Sequence, residues 1–142
     1  MRIHRQLLLA AFLLVCSLGA GAQDKEIKRA PVRPTSAASG KEMFVSYCAV
    51  CHGRDGKGGG PAAAALKVPP ADLTVLSQKN GGKFPSAHVA SVLGGEADLS
   101  AHGNREMPVW GPVFRGMSHG NAGEVQQRIA NLTEFIASLQ AK

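Results

Sequence analysis

The five residues from Cys48 to His52 are the part of this sequence in which residue types and spacing point most directly to chemistry. Two cysteines separated by two residues and followed at once by a histidine form the pattern by which haem is attached covalently to protein. On a helix, Cys48 and Cys51 lie on the same face, so both thiols can bond to the vinyl groups on one edge of the porphyrin. His52 lies one turn after Cys48, where its imidazole can bind the iron as the proximal ligand. The segment therefore predicts one haem c, attached through Cys48 and Cys51.

Two other kinds of site also use a pair of cysteines at this spacing. A redox dithiol of the thioredoxin type would follow a strand in a βαβ unit, but no alternating apolar run precedes Cys48. A structural zinc site would need a second cysteine pair or two spaced histidines, which the sequence does not offer. The third cysteine, Cys16, falls in a segment that we expect to be removed. Haem attachment is the favoured interpretation, and the redox dithiol is its main alternative.

Residues 1–22 have the organisation of a secretory signal peptide. Arg2 and Arg5 precede an apolar run over residues 7–18, and the Ala-Gly-Ala sequence that ends at Ala22 is a small-x-small cleavage site. The apolar run is shorter than the roughly 20 residues that a helix needs to cross a bilayer, so we expect no permanent membrane anchor. The sequence predicts export to the periplasm, with cleavage near Ala22.

After this leader, the sequence predicts a flexible linker over residues 23–39 and one domain over residues 40–142. The linker contains Pro31 and Pro34 among small and polar residues and has almost no apolar periodicity. The net charge of the whole chain is +6 at pH 7, yet no basic stripe with interleaved aromatic residues is found. Nucleic acid is therefore not expected as a partner.

The domain must place the motif on a helix whose apolar face turns inward. Ser39 is a suitable N-cap for this helix, and Gly53 is a suitable residue to end it. Phe44, Cys48 and Cys51 follow one another at i, i+4 and i+7, so the face that packs into the core also carries both thiols.

The remaining predicted elements are short, apart from the last helix. Helical turns are predicted over residues 62–67, 72–77 and 86–93, and a glycine-rich loop follows the motif. The apolar residues of the last helix keep helical spacing and are Val125, Ile129, Leu132, Ile136 and Leu139. No long segment alternates convincingly, so the predicted fold class is all-α, with a few short helices and long loops wrapped around one covalently bound haem.

Over residues 40–142 the sequence resembles the small class I-like c-type cytochromes of bacteria. The residues that carry the resemblance are Gly40 and Phe44 ahead of the motif, Gly60-Pro61 after the glycine-rich loop, and Met107-Pro108-Val109-Trp110-Gly111. The resemblance implies that Gly40 lets the first helix cross the last one closely, against an aromatic side chain that Phe135 would supply. It also implies that the Pro61 carbonyl accepts a hydrogen bond from His52, which would raise the basicity of the imidazole.

The same resemblance implies that Met107 is the second, distal ligand of the iron, and the residues themselves favour it. Pro108 biases the residue before it towards an extended backbone, which suits a loop that directs a side chain. A thioether is a soft, neutral ligand that favours ferrous iron and raises the reduction potential. The alternatives that remain open are Met117 and the histidines His88, His102 and His119.

The resemblance implies an electron-transfer protein and not an enzyme, so no catalytic residue is expected. Its partners would be a redox protein that donates the electron and another that accepts it, both bound transiently near the haem edge by a monomer. Two other functions remain open. One is a haem sensor or enzyme for a gas or peroxide, with an open sixth position, and the other is the electron-entry subunit of a larger oxidoreductase complex.

Overall fold

The regular structure of this protein is helical. The computed structural model describes residues 32–97 and 107–141, and within these two ranges it contains helices and turns but no strand. The predicted all-α fold class is thereby confirmed. The predicted signal peptide, Cys16 and His102 lie outside the described residues, and the division into leader, linker and domain stays a prediction.

The helix that carries the motif, α1, consists of three contiguous stretches. These are α-helical Gly40–Met43, π-helical Phe44–Cys48 and α-helical Ala49–His52. The Ser39 hydroxyl caps the first turn by accepting a backbone hydrogen bond, and Gly53 ends the helix with φ 77°. Both ends of α1 are therefore where the sequence predicts them.

The π-helical stretch has no counterpart in the sequence prediction. In it, the Ala49 amide donates to the Phe44 carbonyl, one residue further back than in an α-helix. The extra residue in this turn widens the inner face of α1, so that Tyr47, Cys48 and Ala49 are all buried. The prediction that the core face of the helix carries the thiols is confirmed for Cys48, the more buried of the two cysteines.

Within the described residues, two 3₁₀ turns and four further helices follow α1. The turns are Ala63–Ala65 and Leu73–Val75, and the helices are α2 (Leu76–Lys79), α3 (Ser86–Gly94), α4 (Trp110–Met117) and α5 (Ala122–Ser138). The predicted cap at Asp72 is confirmed, since its carboxylate accepts the Thr74 amide at 2.8 Å. The helix predicted over residues 62–67 is only a 3₁₀ turn, because Leu66 already has an extended backbone.

Helix α4 is the element that the sequence analysis missed. Gly111, Pro112 and Gly116 lie within it, and glycine and proline are the residues that disfavour helix interiors most. Pro112 is tolerated because it lies in the first turn, where backbone N–H groups have no partner within the helix. The helix buries Trp110 and Phe114 in the core, and this burial outweighs its weak intrinsic propensity.

Helices α1 and α5 cross closely at Gly40. A methyl group built on Gly40 would overlap the backbone carbonyl of Asn131, so a larger residue would force the two helices apart. Beside the crossing, the rings of Phe44 and Phe135 lie 5.2 Å apart, inclined by 50°. The close approach and the aromatic partner that the resemblance implied are both confirmed.

The segment before α1, residues 33–37, is bound to the helices and is called the strap below. The Arg128 side chain, which belongs to a residue only 4% exposed, donates to the Thr35 carbonyl at 2.9 Å. The Tyr47 hydroxyl donates to the Arg33 carbonyl at 2.7 Å. The contacts of the helical domain therefore begin within the predicted linker, before the predicted start of the domain.

Candidate haem site

No disulfide joins the two motif cysteines. Cys48 is 7% exposed, and Cys51 is half-buried. Burial raises the pKa of the Cys48 thiol to about 12, and the neighbouring Cys51 adds to this rise. A redox dithiol of the thioredoxin type needs the opposite shift, because the thiolate is the attacking species. The environment of Cys48 therefore counts against the redox alternative.

The histidine of the motif, His52, is half-buried at the end of α1. Its Nδ1 atom lies 2.9 Å from the Ala71 carbonyl oxygen, and since a carbonyl can only accept, Nδ1 carries the proton. Nε2 then keeps its lone pair, which is the form in which an imidazole binds a metal ion. The expectation that Pro61 supplies this carbonyl is wrong, because the acceptor is Ala71.

The glycine-rich loop after the motif explains why Ala71 reaches His52. Two hydrogen bonds fold the loop back on α1, from the Gly58 amide to the His52 carbonyl at 2.7 Å and from the Gly60 amide to the Cys51 carbonyl at 3.0 Å. The Leu73 amide then donates to the Gly56 carbonyl at 2.8 Å, which holds the segment containing Ala71 against the loop. Pro61, by contrast, is exposed.

Met107 lies three residues before α4. Its side chain is half-buried and packs against the hydrophobic core, whereas Pro108 and Val109 are exposed. A soft donor packed on the inner side of the chain is what a haem iron requires of a methionine ligand. The position of Met107 is therefore compatible with its predicted role.

Met117, the main alternative ligand, has a different neighbour. Its sulfur lies 3.5 Å from the Tyr47 hydroxyl, at the opposite end of α4 from Met107. A thioether accepts hydrogen bonds only weakly, so this contact indicates the direction of the Met117 side chain more than it adds stability. The two described histidine alternatives, His88 and His119, are both exposed.

An aromatic stack joins α1 to the segment that follows Met107. The ring of Tyr47 lies 5.2 Å from that of Trp110 at an angle of 24°, and the ring of Trp110 lies 5.9 Å from that of Phe114 at 29°. The sequence analysis did not single out Tyr47. A signal was available, since it is the single tyrosine of the chain and directly precedes Cys48.

These side chains fit a haem c. The thiols of Cys48 and Cys51 would bond to the porphyrin edge, and the donors to the iron would be the Nε2 atom of His52 and the thioether of Met107. Among residues 32–97 and 107–141, no group of three or more His, Cys, Asp or Glu side chains could hold a metal ion by itself. A haem does not need such a group, because the porphyrin already surrounds the iron and two axial protein ligands complete its coordination. No helix in the same two ranges is long and apolar enough to cross a membrane.

The fold and these donors together define a protein of the c-type cytochrome class. The family model described as cytochrome c oxidase, cbb3-type, subunit III, matches residues 35–122, and the chain belongs to this family. No curated protein and no solved structure matched the chain. Membership confirms the resemblance to class I-like c-type cytochromes, with haem c as the cofactor and haem-based electron transfer as the activity.

Proposed function

We propose that this protein carries single electrons in the periplasm through one haem c, with His52 and Met107 as axial ligands. Cys48 and Cys51 hold the porphyrin through thioether bonds. A bound haem supplies a one-electron couple, and two protein ligands keep dioxygen away from the iron. The protein orients the ligands and sets the reduction potential, so no catalytic residue is assigned.

The observation that carries the proposal is the 2.9 Å hydrogen bond between His52 and the Ala71 carbonyl. It fixes the tautomer of the imidazole and leaves Nε2 free to bind a metal ion. A thioredoxin-type dithiol has no use for an oriented imidazole after its second cysteine, whereas the iron of an attached haem needs one as its proximal ligand.

Met107 and Met117 both pack against the hydrophobic core, and Met107 is proposed as the distal ligand because the sulfur of Met117 already has a polar neighbour. The Met117 sulfur is next to the Tyr47 hydroxyl, and His88 and His119 are exposed. Met107 packs on the core directly before the segment that stacks on α1 through Trp110. The helix with the two thiols and the segment with the methionine are therefore held together.

The ferric absorption spectrum of the exported protein tests this ligation. We expect a methionine–sulfur charge-transfer band in the wild type, its loss in Met107→Ala with a lower reduction potential, and its retention in Met117→Leu. A five-coordinate, high-spin spectrum of the wild type would contradict the proposal and support a gas or peroxide sensor or enzyme. Loss of the band in Met117→Leu alone would assign the ligand to Met117.

The family description favours a second candidate, in which this chain is the electron-entry subunit of a larger complex. The description names a subunit of an oxidase. Deleting residues 23–32 removes most of the predicted linker but keeps the Arg33 carbonyl that Tyr47 binds. Lower turnover of a co-purified oxidoreductase after this deletion would support the subunit. Unchanged turnover, with a monomer in solution, would support a free carrier that meets its donor and acceptor transiently.

A further inference from the structure

The end of α3 and the start of α4 meet backbone to backbone. A methyl group built on Gly111 would overlap the Gly94 carbonyl oxygen and lie 3.0 Å from the Gly94 carbonyl carbon. A methyl group built on Gly95, where φ is 83°, would overlap the Val109 side chain. The two segments can therefore approach this closely only because Gly95 and Gly111 have no side chains. We call Gly94, Gly95, Val109 and Gly111 the glycine contact.

The α4 side of this contact, residues 109–111, follows Met107 closely in the chain. Only Pro108 separates Met107 from this segment, and the proline ring fixes the φ angle of Pro108. Within the same three residues, Trp110 stacks on Tyr47 at 5.2 Å. The segment is therefore held from two sides, by α3 and by α1, and its position limits where the backbone of Met107 can lie.

We propose that the glycine contact positions the distal ligand of the haem iron. The inference rests on the proposed role of Met107, and it makes Gly95 and Gly111 positioning residues for that role. A substituent that overlaps a backbone carbonyl can be relieved only by moving one segment away from the other. Binding constellations have to be held within about 0.5 Å of their productive geometry, so such a movement weakens the bond to the methionine sulfur.

Gly111→Ala in the haem-loaded protein tests this inference, with Gly116→Ala as the matched control. Gly116 lies in the same helix, and a methyl group built on it meets nothing within 4 Å. We expect Gly111→Ala to weaken or lose the ferric methionine–sulfur band and to lower the reduction potential, with haem content and far-ultraviolet circular dichroism unchanged. Gly116→Ala is expected to keep the wild-type band and potential.

A milder variant keeps the inference testable where Gly111→Ala does not fold. Val109→Ala shortens the side chain that covers Gly95, and Val109 is 41% exposed, so the fold tolerates the change. We expect cyanide to replace the methionine in the ferric protein about tenfold faster, which corresponds to a local loss of roughly 1.4 kcal/mol. Val45→Ala is the matched control, because Val45 is 39% exposed and lies on α1.

The outcomes separate this inference from the proposed ligation. If Met107→Ala keeps the sulfur band, the ligation itself is wrong. If Met107→Ala loses the band while folded Gly111→Ala keeps the wild-type band and potential, only the positioning role is wrong. Cyanide binding in Val109→Ala at the wild-type rate would also overturn the positioning role. So would loss of the sulfur band in Gly116→Ala, or faster cyanide binding in Val45→Ala.

Discussion

The Tyr47 hydroxyl, one residue before the haem motif, has three neighbours within hydrogen-bond distance. They are the Arg33 carbonyl at 2.7 Å, the Thr35 hydroxyl at 2.9 Å and the Met117 sulfur at 3.5 Å. A hydroxyl has one proton to donate, and of these acceptors the carbonyl is the strongest. The ring of Tyr47 stacks on Trp110 without using the hydroxyl. One substitution can therefore separate the hydrogen bond of the Tyr47 hydroxyl from the stacking of its ring.

Replacing Tyr47 by phenylalanine removes the hydroxyl and keeps the ring. We expect the free energy of unfolding to fall by about 1 kcal/mol, the usual value of one hydrogen bond, because the Arg33 carbonyl loses its donor. The ferric sulfur band should remain, since the stack with Trp110 is intact. Denaturant unfolding and the absorption spectrum measure the two effects, with the exposed neighbour Ser46→Ala as the control. Loss of the band would contradict this division of roles.

The carboxylate of Glu124 makes stability depend on pH. A hydrogen bond from the Arg128 side chain holds the pKa of Glu124 below its ordinary value of 4.5. A carboxyl group whose pKa is lower in the folded state stabilises the fold above its ordinary pKa, and this contribution is lost as the pH falls through the lowered value.

We therefore expect the wild type to be more stable than Glu124→Gln near neutral pH, with the difference disappearing in acid. Thermal unfolding of both proteins from neutral to acidic pH measures this. A difference that stays constant over the whole range would show that the Glu124 charge contributes nothing to folding.

Sequence spacing alone predicts which residues would bind a haem, but not the group that orients His52. Cys48, Cys51 and His52 are neighbours in the chain, so their pattern is visible without a structure. The acceptor for His52 is a backbone carbonyl, which every residue has, and Ala71 reaches it only because the glycine-rich loop folds back. No side-chain type at position 71 could indicate this role.

At the scale of elements, Arg128 joins three parts of the molecule. Its side chain donates to the Thr35 carbonyl of the strap at 2.9 Å, to Glu124 of the same helix at 2.7 Å and to the Ser118 hydroxyl after α4 at 3.3 Å. A charged side chain in a residue only 4% exposed is stable there because several acceptors surround it. Hydrogen bonds from one guanidinium group thus hold the strap, the end of α4 and α5 together.

Replacing Arg128 by methionine keeps much of the side-chain volume and removes every donor. We expect the free energy of unfolding to fall by about 2 kcal/mol, the range found for hydrogen bonds to charged groups. Gln127→Met is the matched control, since Gln127 is an exposed neighbour on the same helix. Urea unfolding measures the difference, and equal stability of the two variants would contradict the role of Arg128.

The elements also show which parts of the fold a sequence pattern reveals. Regularly spaced apolar residues predict helix α5, and Ser39 and Gly53 predict the two ends of α1. No such pattern predicts helix α4, because tertiary burial of its aromatic residues overrides the poor propensity of Gly111 and Pro112. The π-helical turn lacks a sequence signal as well, since it depends on how α1 packs.

At the scale of the whole molecule, the contact between α1 and α5 joins the two ends of the part of the chain that the structure describes. Helices α1 and α5 cross at Gly40, and the Asn131 side chain binds the Ala37 carbonyl beside this crossing at 2.8 Å. The family match begins at Thr35, in the strap, and ends at Ala122, the first residue of α5. The family match and the hydrogen bonds of the strap therefore overlap at residues 35–37.

The central claim is that one haem is bonded to this chain through Cys48 and Cys51, and the mass and pyridine haemochrome spectrum of the exported protein test it most directly. The account predicts a coloured protein that begins near Gln23, with the mass of the mature chain plus one haem and a spectrum of the c type. Peptide mapping should place the haem on the segment that contains both cysteines. A colourless, folded protein in which both thiols can be alkylated would contradict the account.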